Sequence, residues 1–245
     1  MKRRTFIQTT TLAGFGIATS KGWSWPLLNP TYTRDQLIGK GNPEFKGDGF
    51  KMHPEAFDSY QRMKTQAATQ GIAIEMVSAY RSFQRQKEIF EGKYRRFTGQ
   101  GLSPIAAIEK IIEYSTIPGT SRHHWGTDID IIDANGRPRP ESVLQERHFH
   151  GKGAFCKLKE WLDEHAEDFG FYEVYTDLPG RMGFKYEPWH FSYAPVSKPM
   201  LQEYRKLDIK QVLQEEKIAG SEHFTDDFIN RYRSQNILDI NPKLL

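Results

Sequence analysis

Between Pro54 and Gln70 the apolar residues recur at helical spacing: Ala56, Phe57, Tyr60, Met63, Ala67 and Ala68 share one stripe, and Gly71 follows as a stop. The spacing predicts an amphipathic helix with that stripe against a core. Ile72 to Ser78 then reads as a strand. Ser82 is placed to cap a second helix reaching Phe97, and Ser103-Pro104 supplies the capping serine and first-turn proline of a third, running to about Tyr114. Thr127 to Ile132 alternates and is rich in β-branched residues, which predicts a strand. A turn-rich loop, Asn135 to Pro140, precedes a helix over 154–169 that Gly170 ends. Gly183 to Tyr193 reads as a strand or hairpin arm. Pro199 to Arg205 and Asp208 to Ile218 read as peripheral helices. Separated strands with helices between them predict an α+β fold, a small and mostly antiparallel sheet with helices packed on it.

A chain of 245 residues holds one well-packed domain and is short for two. Its 38% hydrophobic and 27% charged residues exclude collagen-like, disordered and multi-span membrane classes. The net charge of +3 is concentrated at the start, where Lys2, Arg3 and Arg4 stand in a stretch of twenty residues without an acid; the remaining 31 basic residues meet 31 acidic ones. The body therefore carries no nucleic-acid footprint. The basic start and the short apolar run Leu12 to Ala18 have the layout of a signal peptide, and Arg3-Arg4-Thr5-Phe6-Ile7-Gln8 resembles a twin-arginine export signal. The expected organisation is a leader over 1–20, an irregular arm over 21–38, a main domain over 39–200 and a C-terminal helical extension over 201–245. No cysteine follows the apolar run, so no stable membrane anchor is expected after leader removal, and the single Cys156 excludes an intramolecular disulfide.

Chemistry gathers in three clusters. In Ser121-Arg122-His123-His124-Trp125-Gly126-Thr127-Asp128-Ile129-Asp130, two histidines precede a strand that carries carboxylates. Alternation sends Asp128 and Asp130 to one face, over which His123 can fold back. In Glu187-Pro188-Trp189-His190 the histidine can supply a third ligand and the glutamate can accept a proton from a water. Imidazole and carboxylate together suit Zn²⁺, and three protein ligands with one open position are what a catalytic zinc site requires. Ser78-Ala79-Tyr80-Arg81-Ser82-Phe83-Gln84-Arg85-Gln86 lies at a strand-to-helix junction, where Arg81 can present a planar fork to a carboxylate or an oxyanion, and Gln86 falls one turn into the helix. Motifs for His-Glu-x-x-His zinc proteases, Ser-x-x-Lys enzymes, Gly-x-Ser-x-Gly hydrolases and phosphate-binding loops are absent.

The order Tyr-Arg-Ser, then Ser-x-His-x-x-Gly-x-x-x-Asp, then Glu-x-Trp-His resembles the VanY-type D-alanyl-D-alanine carboxypeptidases, zinc peptidases related to D-Ala-D-Ala dipeptidases and lysostaphin-like enzymes. The resemblance covers about Gly39 to Tyr193. It implies Zn²⁺ on His123, Asp130 and His190, Glu187 as general base and acid, Arg81 at the scissile end of the substrate, and Ser121 and Gln86 either beside the substrate or supporting the groups that touch it; Trp125 and Trp189 are expected to wall the substrate pocket. It also implies an exported, periplasmic or extracytoplasmic enzyme that removes the terminal D-Ala of a peptidoglycan stem peptide. The alternatives are an endopeptidase of the same fold, cutting L-Ala-D-Glu or a cross-link, and an inactive wall-binding module, which would have no use for Glu187. Asp128 departs from the pattern, since the family commonly has a small residue there.

Overall fold

The computed structural model describes residues 32–245, so the expected leader and most of the expected arm lie outside the described residues. In chain order the elements are α1 (Arg34–Leu37), α2 (Pro54–Ala68), β1 (Ile74–Ser78), α3 (Phe83–Gly99), α4 (Pro104–Ile111), β2 (Asp128–Asp133), α5 (Cys156–His165), β3 (Phe171–Glu173), β4 (His190–Tyr193), α6 (Ala194–Tyr204), α7 (Ile209–Glu215) and α8 (Asp226–Tyr232). The four strands form one antiparallel sheet in the order β1-β2-β4-β3, so the fold is α+β. No helix among the described residues is long and apolar enough to cross a membrane.

Alternation in β2 determines what each face of the sheet does. Every residue of this inner strand is buried. Ile129 and Ile131 point into a core with Ala56, Tyr60 and Met63 of α2 and with Leu158, Trp161 and Leu162 of α5. Burying each large side chain of that stripe contributes about 1.5–3 kcal/mol. The opposite face receives Asp128 and Asp130, which an apolar layer could not hold. Register then sets their neighbours: Asp130 pairs across the sheet with His190, Asp128 pairs with Ser192, and Ser78 pairs with Asp130 on the β1 side after an irregularity past Met76.

The helix starts follow the capping residues. The side chains of Ser82 and Ser103 accept from the N–H groups of Arg85 and Ala106, and Pro104 occupies the first turn of α4. Two expectations are corrected, and one strand was not anticipated. Residues 183–189 form no strand. Lys185 donates its N–H to Glu113 and Glu187 donates its own to Tyr175, Gly183 lies against the Gln235 carbonyl, and Pro188 has no N–H to give a ladder. The three-residue β3 was not anticipated, being too short to show a period. The last forty residues are helical in part but not peripheral: Tyr204, Ile209, Val212, Leu213, Phe228 and Tyr232 belong to the largest buried cluster, together with α1, α4 and Phe90 of α3.

Candidate metal centre and active-site cavity

A cavity of about 600 Å³ opens over the carboxylate face of β2, lined by Arg81, Ser121, His123, Asp130, Glu187, Trp189 and His190, among others. His123 arrives on a tight turn, Arg122–Trp125, that ends at Gly126. Gly126 has φ +68°, and a Cβ there would meet the His53 backbone nitrogen at 2.9 Å, so the turn into β2 requires glycine. The turn is tied to the segment after β1 twice: the His123 carbonyl accepts the Arg81 N–H at 3.0 Å, and His123 Nδ1 lies 2.8 Å from the Ala79 carbonyl oxygen. That carbonyl requires a proton on Nδ1, so Nε2 faces the cavity as a lone pair, 3.4 Å from Asp130 Oδ2.

Glu187 and His190 lie on a reverse turn in which the His190 N–H donates to the Glu187 carbonyl at 3.0 Å. The turn brings Glu187 Oε2 to 2.9 Å from His190 Nδ1, which is also 3.7 Å from Asp130 Oδ1. His190 Nε2 faces Asp128 Oδ2 at 3.0 Å. Asp128 is saturated: it also accepts from Arg122 Nε at 3.0 Å, Ser192 Oγ at 2.6 Å and Thr127 Oγ1 at 3.0 Å. Burial raises the pKa of Asp128, but Arg122 and His190 outweigh it and hold the carboxyl far below the usual range. Asp128, the departure from the family's pattern, thus braces the imidazole from behind.

Ligand atoms of His123, Asp130 and His190 lie within 4.8 Å of one another, all three residues buried. The chemistry of this set fits a divalent cation. Asp130 Oδ1 is buried without a hydrogen-bond partner, and two imidazole nitrogens with a carboxylate are a zinc-type donor set. Burial lowers the His190 pKa, but the Asp128 and Glu187 carboxylates outweigh it and push the group up to about 10; a proton there serves where a cation would. Burial pushes the Glu187 carboxyl up, against the opposing pull of His190.

Arg81 follows β1 with its guanidinium fixed by neutral partners, Nη1 on Gln86 Oε1 at 2.8 Å and Nη2 on Ser78 Oγ at 3.0 Å. Gln86 is fully buried and spends its amide nitrogen on the Thr116 carbonyl at 2.7 Å, so it reaches the cavity only through Arg81. His124 supports the same arginine from behind. Its Nδ1 donates to the Arg81 carbonyl, its Nε2 accepts the Gly119 N–H, and burial lowers its pKa to about 3, so the ring stays neutral. Trp189 walls the cavity, whereas Trp125 turns into the core against Tyr204. Sequence reading missed Arg122, Tyr175 and Lys93. Arg122 could have been suspected from the carboxylate six residues ahead in the same cluster; Tyr175, edge-on to His190 at 5.0 Å, gave no local signal.

The family model for VanY, D-alanyl-D-alanine carboxypeptidase, matches residues 49–196, a span that contains every site residue named above. An uncharacterized protein of Haemophilus influenzae is 34% identical over 107 residues, 43% of this chain and 82% of its own length. A D-alanyl-D-alanine carboxypeptidase of Enterococcus faecalis is 28% identical over 152 residues, 62% of this chain and 51% of that protein, so the chain spans about half of this relative. Among solved structures, VanYB in complex with D-Alanine-D-Alanine superposes with a TM-score of 0.50 at 23% identity, covering 73% of this chain and 92% of that one, a likeness of fold.

Proposed function

The chain belongs to the VanY-type D-alanyl-D-alanine carboxypeptidase family and is a peptidase; from that premise we propose that it is an exported zinc D,D-carboxypeptidase that removes the terminal D-Ala from peptidoglycan stem peptides. The observation that carries this reading is the convergence of His123, Asp130 and His190 beside Glu187 on the floor of one cavity. His123 through Nε2, Asp130 through its carboxylate and His190 through Nδ1 would hold Zn²⁺. The metal supplies Lewis acidity that makes water a nucleophile near neutral pH and polarises a peptide carbonyl.

The rest is the work of the chain's own groups. Glu187 takes the proton of the attacking water and returns it to the leaving amine; its raised pKa suits a group that must hold and release a proton. Arg81, fixed by Gln86 and Ser78, turns its free N–H groups to the scissile carbonyl oxygen, where negative charge develops. Ser121 and Trp189 contact the peptide from the cavity wall. Asp128 keeps the His190 proton on Nε2 and so keeps Nδ1 free as a ligand. Export by way of residues 1–20 agrees with a substrate outside the cytoplasm.

The test is incubation of purified protein with a pentapeptide stem ending in D-Ala-D-Ala, read by mass spectrometry with and without a chelator. Loss of one alanine, blocked by the chelator and restored by zinc, is expected. Cleavage at an internal bond would make the protein an endopeptidase. No cleavage with zinc bound would leave a binding role.

A further inference from the structure

With Zn²⁺ on its three ligands the cavity would hold more positive charge than its acids can balance. Arg81, Lys93, Arg122 and Arg147 line it. Arg122 is matched by Asp128, and Arg147 is exposed on the rim beside Glu146. If Zn²⁺ sits on its three ligands, its two charges are met by Asp130 and Glu187. Arg81 and Lys93 are then left over. Neither forms an ion pair with any described residue, and the Lys93 side chain makes no hydrogen bond to one either. Ile89 and Lys93, four residues apart on α3, share the face that lines the cavity. Lys93 is partly buried and within electrostatic reach of Arg81; burial first, and then Arg81 and Arg96, lower its pKa against the weaker opposing pull of Glu187. Two like charges in the partly dehydrated wall of one cavity are unfavourable until an anion joins them.

We propose that Lys93 is the seat of the substrate's free C-terminal carboxylate, which makes the site select chain ends over internal bonds. This rests on the carboxypeptidase reading and adds the residue that enforces it. Arg81 is clamped at the reacting end near Asp130 and Glu187. Lys93, on a flexible stem in the wall of the same cavity, is free to meet a carboxylate one residue beyond the scissile carbonyl.

The experiment compares the pentapeptide acid with its C-terminal amide for the wild-type holoenzyme, Lys93→Met and Lys93→Arg, following kcat and KM together with zinc content and melting temperature. The Kd of the uncleaved acid is measured in a Glu187→Gln background. Removing one charge-assisted contact should raise KM and Kd for the acid roughly 10- to 100-fold in K93M, with the amide unaffected and K93R recovering most of the loss. Zinc content and melting temperature should stay at wild-type values, since Lys93 has no partner to lose. If the wild type removes D-Ala and K93M keeps its KM for the acid, the inference falls and the carboxypeptidase reading stands. Equal losses for acid and amide would mean a packing role and would also overturn it. A wild-type protein that handles acid and amide alike and cuts only internal bonds would overturn both.

Discussion

Removing the Asp128 carboxylate tests whether the site is braced as the geometry indicates. In Asp128→Ala, Arg122 keeps its bond to Ser192 Oγ at 2.7 Å and its position over the Trp125 ring at 4.8 Å, but loses its only counter-charge among the described residues. Both members are buried, with Arg122 5% exposed and Asp128 fully enclosed. Deleting one partner of such a pair costs about 3–5 kcal/mol, because the other is left charged and unpaired. In a domain of this size each kcal/mol moves the melting temperature by about 2–4 °C, so a drop of roughly 6–20 °C is expected. Melting should be followed in chelator, so that metal linkage does not enter the comparison. The second readout is zinc affinity by competition with a chelating dye. Without Asp128 the His190 ring loses the contact that fixes its tautomer, and affinity should fall about 10- to 100-fold. Asp128→Asn keeps the shape and can still accept from Arg122 and His190 while donating to Ser192 Oγ, so its melting loss should be the smaller of the two. An Ala variant that melts within about 2 °C of wild type and binds zinc within about twofold would refute the bracing argument.

Other outcomes follow from the same contacts. Glu187→Gln should keep zinc stoichiometric, since Glu187 is not among the three ligands, and should lower kcat by about 10²- to 10⁴-fold; unchanged turnover would remove Glu187 from the mechanism. Burial pushes the Glu173 carboxyl up to about 7, against the pull of Lys159 at 3.4 Å. Its folded pKa lies above the unfolded one, so its contribution is fully present below about pH 4.3 and is lost as pH rises through about 7. Glu173→Gln should therefore flatten the fall of chemical-denaturation stability across that window, and parallel wild-type and variant profiles would refute the assignment. Tyr232→Phe removes the hydroxyl that accepts the Ile117 N–H at 3.0 Å and meets Thr120 Oγ1 at 2.8 Å, and should cost about 1–3 kcal/mol in urea unfolding.

The sequence was most legible where chemistry and periodicity coincide. The alternation of Asp128, Ile129, Asp130 and Ile131 sorts carboxylates from isoleucines without knowledge of any partner strand. Ser82 and Ser103 announce helix starts because capping is a contact three residues long. Legibility ended where the deciding contact is remote in sequence. Both Asp128 and Asp130 face the site, and what separates them is register: one stands opposite His190, the other opposite Ser192 and within reach of Arg122. Aromatic and apolar residues in 183–193 suggested extended pairing, and 190–193 do pair as β4, but ahead of it Lys185 and Glu187 give their N–H groups to Glu113 and Tyr175 instead of a neighbouring strand.

The C-terminal helices show why that limit matters for function. Read locally they are short amphipathic pieces, which is how a peripheral extension also reads. In the fold they reach back across more than eighty residues of sequence: Tyr232 holds Ile117 and Thr120, and Tyr204 Oη donates to the Gly119 carbonyl at 2.8 Å. The segment they grip leads directly into Ser121 and His123, and Gly119 also gives its N–H to His124, the ring that carries the Arg81 backbone. A displacement of residues 117–120 would therefore reach both the first histidine of the candidate metal centre and the arginine beside it. Preorganising a site of this kind depends on groups that never touch the ligand, and here several of them come from beyond the span that the family model matches, which ends at residue 196.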